Sequence, residues 1–230
     1  METINTDFER PSAQVIEAVS QQHIGVAGFE VGPRQVMHPD IKPLDPHWRI
    51  CGPAFTVRSR CWDDRLTSEL APKYAKPGDV LVVDAGGHIE VGVWGMSMSI
   101  NAALAGISGV VIDGSCMNGA LLTRDRPQMP MFTRGISAGA KSDPDGPGSM
   151  NVPVICGGVI VYPGDIILGD MDGVVVINPL AAEKIVANSK AHDQRSRKAH
   201  AENVPYYVQR GSEAKMQSHS DVVFNPSKNV

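Results

Sequence analysis

The stretch from Lys76 to Gly119 constrains the fold more than any other part of the chain. Lys76-Pro-Gly-Asp79 is a turn feeding the apolar run Val80-Leu-Val-Val83, which empties into Asp84-Ala-Gly-Gly87. That pattern predicts a strand ending in a glycine-rich loop. From Trp94 to Ala105 good helix formers dominate, opened by serines and closed by Gly106, which predicts a helix. A second strand is expected at Gly109-Val-Val-Ile-Asp113, followed by a loop over Gly114-Ser-Cys-Met-Asn-Gly119. Strand, helix and strand joined by short loops make a βαβ unit, whose strands run parallel. Ligands of such sheets gather at the carboxyl ends of the strands. The expected cleft therefore lies between Asp84–Gly87 and Asp113–Gly119.

The flanking segments supply the other layers. Ser12 to Gln22 carries Val15, Ile16 and Val19 at helical spacing behind a serine cap. Prolines and glycines from Phe29 to Trp48 predict an extended surface passage. Gly52 to Arg58 alternates like a half-buried strand, with Arg58 facing solvent or a cleft. Met131 to Gly135 reads as a short strand, and Ser137 to Asn151 as a polar loop. Val152 to Val161, Ile166 to Leu168 and Val174 to Ile177 form a hairpin-rich region whose turns hold Asp170 and Asp172. A long helix then starts at Asn178-Pro179, with Leu180, Ile185 and Val186 on its apolar side. The expectation is one layered α/β domain over residues 1–230, its core at about 10–190 and a C-terminal helix and arm at about 180–230.

Composition excludes several classes. The net charge of −4 and the single short basic run at Lys190, Arg195, Arg197 and Lys198 do not make a nucleic-acid surface, which needs a dense basic face. That run reads as the solvated side of a helix. No apolar stretch is long enough to cross a bilayer and the first residues lack a signal-peptide core, so the expected location is cytoplasmic. Cys51, Cys61, Cys116 and Cys156 lie far apart without C-x-x-C spacing, as expected of free structural thiols.

His88 and Glu90 sit in the loop before the presumed substrate helix, a suitable place for a general acid or base. Surface residues would read the same way. Asp113, at a strand end, either faces the cleft and orients a neighbour or caps its own loop. Cys116 would be a nucleophile only if a base or positive field lowered its pKa, and the sequence shows no such partner. Met96, Met98 and Met117 either soften a pocket for a less charged substrate or fill core. Asp84-Ala-Gly-Gly87 lacks the spacing of a dinucleotide or P-loop site.

Seven phrases stand in register: Pro77 to Val83, Trp94-Gly95, Gly109 to Gly114, Phe132 to Gly135, Cys156 to Gly158, Pro163 to Asp165 and Asp170 to Val175. Over roughly residues 10 to 190 the chain resembles the family of RraA regulators and class II 4-hydroxy-4-methyl-2-oxoglutarate aldolases. The resemblance implies a β/β/α swivelling-type sandwich and assembly as a homotrimer or homohexamer. It places the carboxylate of a pyruvate-like substrate on the backbone N–H groups of Gly95, Met96, Ser97 and Met98. It also implies an arginine that clamps the oxo acid and an aspartate that holds Mg2+ or Mn2+, in the loop after the second strand. Here those two positions are Met117 and Asn118, and Met96 replaces the acidic residue that commonly follows the loop glycine. Losing the arginine removes a charge-assisted contact of about 1.5–3 kcal/mol. Asn118 still offers a neutral oxygen, but without negative charge it holds a hard cation weakly.

Three functions follow as expectations. The first is a lyase, of aldolase or decarboxylase type, acting on a small oxo or hydroxy acid, with His88, Glu90, Asp113 and Asn118 as catalytic candidates and Gly95 to Met98 with Met117 binding substrate. The second is a hydratase, isomerase or hydrolase that works in the same cleft without metal. The third is a non-catalytic regulatory protein of the RraA kind.

Overall fold

The computed structural model describes residues 3–59, 70–124, 129–139 and 148–210. Two compact units divide the chain, residues 1–189 and 190–230.

The first unit opens with α1 (Ala13–Ser20), capped as expected by Ser12, whose side chain accepts the N–H of Val15 at 3.4 Å. A second helix, α2 (Ile24–Val31), and a 3-10 turn at Pro33–Gln35 follow. The extended passage expected from Phe29 therefore begins later. Glycines at 25 and 28 disfavour helix intrinsically. Packing outweighs that cost: Ile24 and Ala27 bury against Ile166, Leu168 and Val175.

After the short β1 (Lys42–Pro43) come β2 (Ile50–Ser59), α3 (Ala71–Tyr74), β3 (Val80–Asp84), α4 (Met96–Leu104), β4 (Gly109–Cys116), α5 (Gly119–Arg124) and β5 (Met131–Ile136). Strands β2, β3, β4 and β5 pair in parallel in that order, as the βαβ reading requires. Strand β4 runs further than expected. Gly114 to Cys116 continues the strand after a register shift between Ile112 and Ser115, and the loop shrinks to Met117 and Asn118. A bulge of this kind re-aims a strand end without ending its pairing.

The remaining strands are β6 (Gly148–Met150), β7 (Val154–Cys156), β8 (Val159–Val161), β9 (Ile166–Asp170) and β10 (Gly173–Ile177). β6 pairs antiparallel with β2, β7 with β8, and β9 with both β2 and β10. The main sheet reads β1-β5-β4-β3-β2-β9-β10. Its two ends approach each other: Val36 bridges to Val175, and Lys42 Nζ donates to the carbonyls of Met171 at 3.4 Å and Asp172 at 2.7 Å. The sheet is thus nearly closed.

Alternation along the strands sorts side chains between separate cores. Leu81, Val83, Val110 and Ile112 pack with Met98 and Ala102 of α4. Val80, Val82, Val111 and Phe132 pack with Ile167, Val174 and the β7–β8 hairpin. Ile166, Leu168, Val175 and Ile177 bury against α1, α2 and the start of α6 (Ala182–Arg210). Ile185 and Val186 occupy that third core as expected. Leu180 does not: it lies in the 3-10 turn before the helix and is exposed.

In the second unit, residues 190–210 continue α6, and Lys190, Arg195, Arg197 and Lys198 are exposed. The arm beyond residue 210 lies outside the described residues, as do Cys61 and residues 140–147 of the expected polar loop.

Candidate active site

At the carboxyl ends of the parallel strands, four charged residues stand side by side. Arg58 of β2 is the register partner of Asp84 on β3, and Asp84 that of Asp113 on β4; Arg134 of β5 joins them through Asp113. Asp84, Asp113 and Arg134 each follow, at two-residue spacing, a side chain of the hairpin-facing core (Val82, Val111, Phe132), and Arg58 follows Thr56, whose hydroxyl donates to the Val152 carbonyl at 2.6 Å, so the row points toward the β7–β8 hairpin. The hairpin answers with its main chain. Arg58 Nη2 donates to the Pro153 carbonyl at 2.7 Å, Asp84 Oδ2 accepts the Ile155 N–H at 3.4 Å, and Asp113 Oδ2 accepts the Gly157 N–H at 2.8 Å. Pro153, Ile155 and Gly157, at alternate positions through β7 and its two flanks, thus dock on three neighbouring strands.

Asp113 is the most enclosed member. Its Oδ1 accepts a short hydrogen bond from Arg134 Nε, and its carbonyl takes the N–H of Gly87 at 2.9 Å. Both carboxylate oxygens are therefore engaged within the fold. Arg134 is a member of the row that sequence reading did not single out. The signal was present, since Phe132 and Arg134 share a strand face and an arginine beside a core phenylalanine needs a buried partner.

The loop from Ala85 to Gly95 runs along the end of β4. Gly86 and Gly87 turn it with φ of 70° and 75°. Ser115 Oγ donates to the Ile89 carbonyl at 3.0 Å, Val93 N–H to the Ser115 carbonyl at 2.9 Å, and Met117 N–H to the Trp94 carbonyl at 2.8 Å. A Cβ at Gly92 would lie 2.8 Å from Met117 N, so glycine permits the approach. His88 and Glu90 project outward, with side chains 73% and 76% exposed and Nδ1 to Oε2 at 3.9 Å.

The loop delivers Gly95 in extended conformation as the N-cap of α4, with no side-chain cap. The expected opening serines lie inside the helix instead. Ser99 accepts the buried Trp94 Nε1–H at 2.7 Å. The first N–H groups of a helix have no intrahelical acceptor. That of Met96 donates to Asn118 Oδ1 at 3.5 Å. Asn118 is held by a left-handed backbone, φ 62°, and by its carbonyl, which takes the N–H groups of Leu121 and Leu122 at 2.9 Å each. Met117 closes the other side: a Cβ on Gly95 would stand 3.2 Å from its Cγ.

Gly95, Met96, Met117 and Asn118 thus meet at one point. His88 lies further along the same loop, against Gly114. The main-chain separation is three residues of strand, roughly 10 Å, and the imidazole stands with Arg58, Asp84 and Ile155. Cys116 is fully buried, and burial pushes its thiol up to about 11, opposite to what a nucleophile needs.

The donor set does not fit Mg2+ or Mn2+. Of Gly95, Met96, Met117 and Asn118, Asn118 alone carries a side-chain oxygen; that Oδ1 is neutral and already accepts a hydrogen bond, and Met96 and Met117 carry soft sulfur. Among the described residues no three His, Cys, Asp or Glu side chains come together as a metal-holding group. No helix among them is long and apolar enough to cross a membrane.

The family model described as RraA-like, Aldolase/RraA, matches residues 12–176. A Halalkalibacterium halodurans protein provisionally named a 4-hydroxy-4-methyl-2-oxoglutarate aldolase is 37% identical over 167 residues, covering 71% of this chain and 78% of its own. A Burkholderia mallei protein with the same provisional name is 32% identical over 149 residues, covering 63% and 85%. The crystal structure of Streptomyces coelicolor RraAS2, described as an unusual member of the RNase ES inhibitor RraA protein family, superposes with a TM-score of 0.73 at 26% identity. It covers 84% of this chain and 99% of its own.

Proposed function

This chain belongs to the RraA-like, Aldolase/RraA family, and from that premise we propose that it is a lyase acting on a small oxo or hydroxy acid. The observation that carries the reading is the start of α4. Gly95 to Met98 begin a helix without a side-chain cap, at the carboxyl ends of β3 and β4. The N–H groups and the helix dipole favour a carboxylate there. The relatives' names point to the same class of acid.

In this reading the carboxylate rests on the N–H groups of Ser97 and Met98, with Met117 packing on its carbon chain and Asn118 beside the oxo group. A retro-aldol step removes the proton of a 4-hydroxyl, breaks the C3–C4 bond and moves that electron pair onto the 2-oxo group. The resulting enolate takes a proton back at C3 to release pyruvate. His88 and Glu90, exposed on the loop before α4, carry the protons. Asp113 holds the loop and hairpin in place and stays out of the proton transfer. No step is routed through a metal ion. A cytoplasmic homotrimer or homohexamer, with no nucleic-acid or membrane partner, belongs to the same proposal.

Pyruvate release from a panel of 4-hydroxy-2-oxo acids tests the reading. The Ser97→Pro variant deletes one N–H in a helical turn that tolerates proline, and KM should rise about tenfold or more. No release from any acid in the panel would overturn it. Met96, Met117 and Asn118, neutral where the resemblance implies charge, favour a second reading, a regulatory protein that binds a partner; recovery of a heterologous partner with a catalytically inert chain would support it.

A further inference from the structure

A cavity of about 480 Å3 opens at the carboxyl ends of β2 and β3, with Arg58, Ser59, Asp84, Gly86, His88 and Ile155 among its walls. Its size falls within the range of small-molecule sites, about 300–1,000 Å3, and strand carboxyl ends are where such sheets bind ligands. It lies on the hairpin side of the sheet, whereas α4 packs on the other face.

The charged groups of this cavity are fixed by the fold. Arg58 Nη2 donates to the Pro153 carbonyl at 2.7 Å and Nε faces Asp84 Oδ2 at 3.7 Å. A guanidinium has five N–H donors in a planar fork, so others remain to meet a ligand. Asp84 Oδ1 accepts the Gly86 N–H at 3.1 Å and Oδ2 the Ile155 N–H at 3.4 Å. Each carboxylate oxygen has a second lone pair. The cavity thus presents a cation and an anion side by side, each anchored by backbone, with the His88 imidazole beside them.

We propose that this cavity binds a small carboxylic acid carrying a hydrogen-bond donor on its α-carbon, the carboxylate on Arg58 and the donor on Asp84. A carboxylate on Arg58 alone would face the negative charge of Asp84. A hydroxyl or ammonium one carbon away turns that repulsion into a hydrogen bond, which selects substituted acids over plain ones. Ile155 supplies an apolar wall for the rest of the molecule. The cavity shares His88 with the proposed lyase site, but its acid rests on Arg58 and Asp84 and not on α4, so the two readings are tested separately.

Titration of the 15N-labelled full chain tests the site, following the Arg58 Nε–H and His88 imidazole resonances. The probes share one carbon skeleton: lactate with a hydroxyl, alanine with an ammonium and propionate with neither. Lactate or alanine should give saturable shifts at both residues, the tighter of the two identifying the donor, and propionate should bind at least about fivefold more weakly. Arg58→Gln should abolish the shift at His88. Arg58→Lys, which keeps the charge and loses the fork, should weaken binding several-fold with an unchanged amide spectrum. Asp84→Asn should narrow the gap between lactate and propionate. Propionate binding as tightly as the other two, wild-type affinity in Arg58→Gln, or no saturable shift with any probe would overturn the proposal. Pyruvate release bears only on the α4 reading, so the two failures are distinguishable.

Discussion

Asp113 and Gly157 lie 44 residues apart in the chain, and the Gly157 N–H donates to Asp113 Oδ2 at 2.8 Å while Arg134 occupies the other oxygen. This contact pins the turn of the β7–β8 hairpin to the end of β4. Asp113→Ala leaves Arg134 with only the exposed Asp40, at 3.8 Å, and a buried N–H without an acceptor. Breaking a buried pair in this way costs about 3–5 kcal/mol. Urea unfolding should show a loss of that size, and a variant within about 1 kcal/mol of the wild type would remove Asp113 from this role.

Burial raises the Cys51 thiol to about 12 and Cys116 to about 11, and holds Cys156 well above its ordinary value. At pH 8 a thiol near 11 is ionised in about one molecule in a thousand. In a Cys61→Ser background, the native protein should react slowly with a thiol reagent and release three equivalents promptly once unfolded. Prompt labelling of Cys116 in the native state would show that a base or an opening motion activates it.

Asp165 is desolvated by burial, which raises its carboxyl above 3.8, while the Tyr162 N–H donates to Oδ2 at 2.8 Å and opposes the shift. A raised carboxyl favours the fold below its ordinary value, and that contribution is lost as pH rises through the shifted value. Asp165→Asn keeps an acceptor for Tyr162 and removes the ionisation. Its stability relative to the wild type should therefore be higher at pH 7 than at pH 3. A pH-independent difference between the two proteins would contradict this assignment.

Asn118 differs from an aspartate by one charge at the point where Met96, Met117 and Gly95 meet. Wild-type protein should leave the paramagnetic resonance signal of free Mn2+ at full amplitude. Asn118→Asp should deplete it with at least about tenfold higher affinity, since a hard cation favours an anionic oxygen. Micromolar Mn2+ retention by the wild type would show that other groups complete a metal site.

Much of this arrangement was legible in the sequence, because it rests on local signals. The run from Val80 to Asp84, the glycine turn after it and the second run from Gly109 are short-range patterns, and they place the two strand ends and the helix between them. The length of β4 was not legible, because Gly114 to Cys116 resembles a loop until Gly135 and Ile136 pair with it. Helix α2 escaped for a similar reason: Ile24 and Ala27 show their helical role only once they bury against Ile166, Leu168 and Val175. The comb of Arg58, Asp84, Asp113 and Arg134 depends on four strands in register and a hairpin above them, a relation that no single segment carries.

The central claim is that a small acid rests its carboxylate on the first turn of α4. The most direct measurement is a titration of 15N-labelled protein with pyruvate, reading the backbone amides of Ser97 and Met98. The account predicts saturable shifts concentrated at those two amides and at Asn118. Saturable shifts confined to other parts of the fold, or none at all at these residues, would contradict it.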